Sequence, residues 1–277
     1  MGLKRQGPVS AAKKPCAGVK SAARTVEIIE YFTTISQPVR TREISDALSI
    51  PNSSVDEILR TLASKGFLAF NRRTKRYAPS YKIVGMAQAI ERGFFGGGCV
   101  RELLNDLKQE TGASVYLTSQ NDCWIENVAA VQGSWLAPNG EDSNFRRELL
   151  FFDGGAWAPS TNFAGAMLTL RSNVEIIDLA VRSQQIGLAP KSQCAMNDLI
   201  EKVKRIRYRG FALCRRDDDV KVESIACPMH LPQSDAPMAV GLLGDKLLEN
   251  DRSANELART MQHLIARHVQ NWSAAAI

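Results

Sequence analysis

Between residues 41 and 62 apolar side chains recur at helical spacing twice, with one break between the runs. In the first run Ile44, Ala47 and Leu48 fall at i, i+3 and i+4, and Thr41 stands where a cap belongs. Ser49, Ile50 and Pro51 make the break, because proline cannot continue a helix and its fixed φ suits a turn. In the second run Val55, Ile58, Leu59 and Leu62 form the stripe, with Asn52 or Ser53 as the cap. The opposite face carries Asn52, Ser54, Asp56, Glu57, Arg60 and Thr61. An earlier helix is predicted over Ser21–Thr34, with Val26, Ile29 and Phe32 inward.

The alternation then changes to that of a hairpin. Gly66 is followed by the apolar run Phe67–Phe70, the loop Asn71–Arg76 and the run Tyr77–Pro79. The loop holds four cations, Arg72, Arg73, Lys75 and Arg76. Two helices around a tight turn, then a hairpin with a basic tip, make the pattern of a winged helix-turn-helix. Its second helix enters the DNA major groove and its wing meets phosphates or the minor groove. Thr41, Asn52, Ser53, Ser54, Arg60 and the four loop cations are the candidate DNA contacts. Asp56 and Glu57 oppose phosphate. They are accounted for by a place in the first helical turn, where the dipole favours negative charge, with Glu57 turned away from DNA. The alternative is a carboxylate accepting from a cytosine amino group.

Farther along, Tyr81–Gly93 reads as a linker helix with Ile83, Val84, Ala87 and Ile90 on one face, which a second copy of the chain could cover. Gly96, Gly97 and Gly98 mark a hinge. Helices are then predicted over Val100–Thr111, Phe163–Leu170, Val174–Ser183, Met196–Tyr208 and Asn255–Val269. Strands are predicted over Ala113–Thr118, Cys123–Ala130, Phe211–Cys214, Glu223–His230 and Met238–Leu243. Without regular βαβ alternation, this is an α+β chain with a mixed or antiparallel sheet. The predicted divisions are a disordered basic arm over 1–20, a winged helix-turn-helix over 21–80, linker helix and hinge over 81–98, and a second domain over 99–272.

Charge sharpens the division. Residues 1–85 hold 15 Lys+Arg against 6 Asp+Glu, whereas the remainder holds 20 against 23. The basic excess is confined to the proposed DNA-binding end, as an electrostatic footprint requires. No apolar run approaches the roughly 18 residues of a membrane span, and no secretory core is visible, so a cytoplasmic protein is expected. The six cysteines are scattered without a CxxC pair and the histidines number three, so neither a metal site nor a cofactor is expected. A nucleophile–histidine–acid set and a phosphate loop are also lacking, which disfavours an enzyme.

With these residues placed, the chain resembles IclR-type transcriptional regulators over about residues 21–270. The resemblance rests on Pro51-Asn-Ser-Ser-Val, Leu59-Arg-Thr-Leu62 and Gly66-Phe-Leu. In the second half it rests on Gly210-Phe-Ala, Asp217–Asp219 and Ser224-Ile-Ala-Cys-Pro228-Met. It implies a winged helix-turn-helix, a linker helix and a GAF-like mixed α/β effector domain, assembled as a homodimer or homotetramer on an operator. It also implies a small organic-acid effector, aromatic acids included. Ser160, Thr161, Asn162 and Ser224 would be its polar contacts, and Ala113, Trp157 and Cys227 the walls. The alternative function is a constitutive DNA-binding regulator or scaffold whose GAF-like domain no longer binds a ligand.

Overall fold

The computed structural model describes residues 19–95, 99–133, 146–153, 156–188, 196–214, 223–231, 234–244, 247 and 251–275. Most of the proposed basic arm and the glycine hinge lie outside the described residues. The chain forms two compact units, Met1–Ala89 and Ile90–Ile277.

In the first unit, α1 (Lys20–Thr34), α2 (Thr41–Leu48) and α3 (Asn52–Ser64) precede a hairpin of β1 (Leu68–Asn71) and β2 (Arg76–Pro79). The stripe of α3, Val55, Ile58, Leu59 and Leu62, is buried as its spacing requires. It packs with Ile28, Phe32 and Ile44 of the other helices and with Tyr77 of β2 in one core. Each of these side chains contributes on the order of 1.5–3 kcal/mol by leaving water. The buried face of α1 differs from the expected one. Val26 is 54% exposed, and Ile28 is wholly buried in its place. The inward row therefore runs through Ile28 and Phe32, four residues apart, and its N-terminal continuation is Arg24.

The expected caps also change. Arg40 caps α2, its N–H donating to the Glu43 carboxylate, and Thr41 is the first helical residue. Pro51 holds the cap position of α3, so Asn52 and Ser53 lie inside the helix, and the cap makes no side-chain hydrogen bond. Between the two helices Ser49 takes the left-handed conformation (φ 53°). Ile50 is held by two bonds to Ser45, its N–H to the carbonyl (3.2 Å) and its carbonyl to the hydroxyl (2.7 Å). The next helix, α4 (Tyr81–Phe95), crosses the boundary between the units.

The second unit is built on a six-stranded antiparallel sheet, ordered β5-β4-β3-β10-β9-β8. Its strands are β3 (Ser114–Asn121), β4 (Trp124–Val131), β5 (Arg146–Glu148), β8 (Ala212–Cys214), β9 (Glu223–Leu231) and β10 (Ser234–Gly244). A separate hairpin, β6 (Leu150–Asp153) with β7 (Ala156–Pro159), leads into α6 (Asn162–Leu168). Strands β5, β6 and β7 fall in a stretch where the sequence analysis places no strand.

Strand alternation sends successive side chains to opposite sides of the sheet. Val115, Leu117, Ile225, Cys227 and Val240 pack with α5 (Val100–Thr111) and α9 (Asp251–Ala275). Tyr116, Ala226 and Ala239 pack with α6, α7 (Asn173–Gln185) and α8 (Met196–Arg209). Between α5 and α9, Asp106 accepts from Arg267 (2.6 Å) and bonds His268 (2.9 Å). Gly241 of β10 lies directly under Phe163 of α6: a Cβ there would meet the ring at 2.0 Å. The missing side chain is what lets α6 lie on the sheet. No helix among the described residues is long and apolar enough to cross a membrane.

Candidate functional site

The basic loop is a tight, internally bonded turn. The Asn71 side-chain carbonyl accepts from the backbone N–H groups of Arg73 (3.0 Å) and Thr74 (3.1 Å). Lys75 takes a positive φ of 56°, and its N–H returns to the Asn71 carbonyl at 2.8 Å. This geometry leaves Arg72, Arg73 and Lys75 exposed at the tip. Arg76 differs from its neighbours. It opens β2, is half-buried, and donates to the Pro38 carbonyl (2.6 Å) and to Glu43 (3.3 Å). It braces the wing root, so the tip carries three outward cations.

On α3, Asn52 and Ser53 are exposed at the start and Ser54 is half-buried. The account of Asp56 and Glu57 as first-turn residues is corrected: with Pro51 as cap, no acid lies in the first turn. Asp56 is instead compensated by Arg60, one turn later, at 2.8 Å. Glu57 is exposed. Burial, and then the Asp56 carboxylate, push the Tyr77 phenol above its ordinary value, so the hydroxyl stays neutral.

Arg24 is absent from the sequence-derived set, yet it reaches α3: its Nη1 donates to the Ser54 hydroxyl at 3.2 Å across 30 residues. Its position four residues before Ile28 was the available signal, obscured by placing Val26 inward.

In the second unit, Asn162 and Ser224 come together although 62 residues apart. The Asn162 amide donates to the Ser224 hydroxyl (2.7 Å) and carbonyl (3.3 Å). Thr161 caps α6, its hydroxyl accepting from the Ala164 N–H at 3.1 Å. The Ser160 hydroxyl donates to the Glu148 carbonyl. These four residues are all partly exposed and lie at the α6 start and the adjoining end of β9. Trp157 stands in β7 opposite Phe152, and its side chain lies outside the described part of the structure.

Ala113 and Cys227 do not join this group. Both belong to the core under α5 and α9, and Cys227 lies with its Sγ 4.0 Å from the Ala258 carbonyl. The reason is parity: Cys227 is three residues from Ser224, so the two side chains leave opposite faces of β9. Burial pushes the Cys227 thiol up to about 12, and it likewise raises that of Cys123. Since the thiolate is the nucleophile, alkylation of the native protein at mildly alkaline pH is expected to leave Cys227 unlabelled and to modify it after denaturation. Mass mapping of the labelled peptides checks this. Among the described residues no group of three or more His, Cys, Asp or Glu could hold a metal ion.

Residues 21–72 match the model of the IclR helix-turn-helix domain. Across 81% of its length the chain is 20% identical to the HTH-type transcriptional regulator XynR of Escherichia coli K12, covering 85% of that protein. The crystal structure of the Thermotoga maritima IclR superposes with a TM-score of 0.63 at 17% identity, over 91% of this chain and 98% of that one. Pseudomonas aeruginosa HmgR gives 0.60 at 15% identity, over 90% and 99%. At these identities the likeness to the solved structures is one of fold, and it extends over both units.

Proposed function

We propose, from the premise that the chain is a transcriptional regulator of the IclR type and not an enzyme, that it grips its operator with α3 and the wing tip and answers to a small organic acid. The observation that carries the DNA reading is the exposed trio Arg72, Arg73 and Lys75, held at the tip of a bonded turn beside a helix whose apolar face is fully used. Phosphate contacts of this kind fix register, and the exposed start of α3, Asn52 and Ser53, is what can reach base edges. Arg60 contributes by exchanging Asp56 for phosphate, because an exposed ion pair is worth at most about 1 kcal/mol.

The effector reading is supported by the Asn162–Ser224 pair with Ser160 and Thr161 close by in sequence. An amide and three hydroxyls beside an apolar layer are the kind of polar set that orients a small carboxylate. Oligomerisation is supported by α4, whose face through Val84, Ala87 and Ile90 is exposed. A second copy of that face would cover them, placing two α3 helices on half-sites about one helical turn, ~34 Å, apart.

The test is binding of the purified chain to its own upstream DNA over a salt series, with and without a panel of aromatic and short-chain carboxylic acids. Specific, steeply salt-dependent binding that one acid shifts is the expected result. Thr161→Ala with Ser224→Ala is then expected to abolish the shift while DNA binding persists. Specific binding indifferent to every acid would favour the constitutive regulator instead.

A further inference from the structure

The outer face of α3 is electrically unsuited to its task. It carries Asp56 and Glu57 against the single cation Arg60, and that cation is already bonded to Asp56 at 2.8 Å. A helix with a net charge of −1 is repelled on entering a groove walled by phosphates. Positive charge must therefore come to this end of α3 from a neighbouring element. Among the described residues α1 supplies it by a direct bond to the start of α3: Arg24 donates Nη1 to the Ser54 hydroxyl at 3.2 Å. Arg24 is half-buried and has no carboxylate partner among the described residues. Its charge is uncompensated, and its position is fixed by a hydroxyl that takes one of five N–H donors.

We propose that Arg24 is a DNA-contacting residue of α1, its guanidinium bonding a backbone phosphate beside the bases met by the start of α3, with Ser54 as the residue that positions it. This rests on the reading of α3 as the groove helix. A planar fork held through one nitrogen keeps donors on its other edge for two phosphate oxygens. A phosphate is the partner because an arginine projecting from outside the groove helix meets the backbone, whereas base edges fall to the side chains of α3 itself.

The experiment compares the full chain with its Arg24→Ala, Arg24→Gln, Ser54→Ala and Arg24→Ala/Ser54→Ala variants. Each is titrated over a salt series with the upstream operator and with a scrambled duplex of equal length. Losing one phosphate contact lowers the salt slope by about 0.9, which is about eightfold in affinity at 0.1 M salt. Arg24→Ala and Arg24→Gln are both expected to show this loss on both duplexes. Glutamine keeps a donor for Ser54 without the charge, so its result stands apart from any packing defect of the alanine variant. Ser54→Ala is expected to lose less, and to add nothing once Arg24 is alanine. An unchanged slope in Arg24→Gln overturns the proposal. So does a loss confined to the operator and absent from the scrambled duplex, or full additivity of the two alanine changes. If the wing variant Arg72→Ala/Arg73→Ala lowers the slope while Arg24→Gln does not, Arg24 is excluded and α3 keeps its role. If the unaltered chain shows no salt-dependent DNA binding, both readings fall together.

Discussion

Replacing Arg72 and Arg73 together with alanine is expected to weaken binding to every duplex, operator and scrambled alike, by on the order of 60-fold at 0.1 M salt. The figure follows from two phosphate contacts, each worth a slope of about 0.9, so that affinity falls as the salt concentration to the power of about −1.8 less steeply. Both side chains stand clear at the wing tip and make no bond that the fold needs; the turn is held by the Asn71 side chain, which accepts from the Arg73 and Thr74 N–H groups, and by the Lys75 N–H on the Asn71 carbonyl. Thermal stability should therefore stay within about 0.5 kcal/mol of the parent. Arg76→Ala should behave in the opposite way, because it loses bonds to Pro38 and Glu43 at the wing root. Titration by fluorescence anisotropy, with melting of each variant alongside, checks both. A salt slope unmoved by the double substitution would remove the wing from the interface.

Gly241→Ala is the second substitution with a large expected effect, on the other unit. The new methyl would sit 2.0 Å from the Phe163 ring edge, well inside van der Waals contact. The ring cannot simply swing away, since it is buried and packs edge-on against Tyr116 with centroids 6.3 Å apart. α6 must lift, at a cost of about 1–3 kcal/mol. For a unit of this size that lowers the melting midpoint by roughly 2–10 °C. Phe163→Leu, made in the Gly241→Ala background, should recover part of the loss, since the smaller side chain leaves room for the methyl. Calorimetry of the two variants decides. If the second change only adds to the first, the contact is not the cause. Lifting α6 also displaces Thr161 and Asn162, so an acid-dependent shift in DNA binding should weaken in Gly241→Ala even below its melting transition.

The first unit was largely legible because its elements are amphipathic and local. The stripe Val55, Ile58, Leu59, Leu62 names its own helix and its own buried face. Pro51 and Gly66 punctuate it, and the cations of the wing lie together in sequence. Caps were less legible: Asn52, Ser53 and Thr41 have the right chemistry, but Pro51 and Arg40 hold the positions because the chain enters each helix one residue earlier.

In the second unit most helices and longer strands showed their period, whereas the short β5, β6 and β7 did not. The set of polar residues around Asn162 was the least legible part. Asn162 and Ser224 meet only because β9 pairs with β10 and α6 lies across them. Cys227 was misplaced for the same reason, since a motif names residues but the strand decides which side each one leaves. Arg24 went unnoticed because its role depends on which row of α1 faces inward.

The sheet of the second unit separates two apolar layers that share strands but few side chains. Changes on the α6 side are thereby insulated from the α5–α9 side, as substitutions without common neighbours combine almost independently. A lineage carrying this scaffold can revise the residues around Asn162 and Ser224 while the layer containing Cys227 and Ala258 keeps the domain folded. The architecture divides inheritance in two: one side of each strand is free to explore, and the other holds the molecule still while it does.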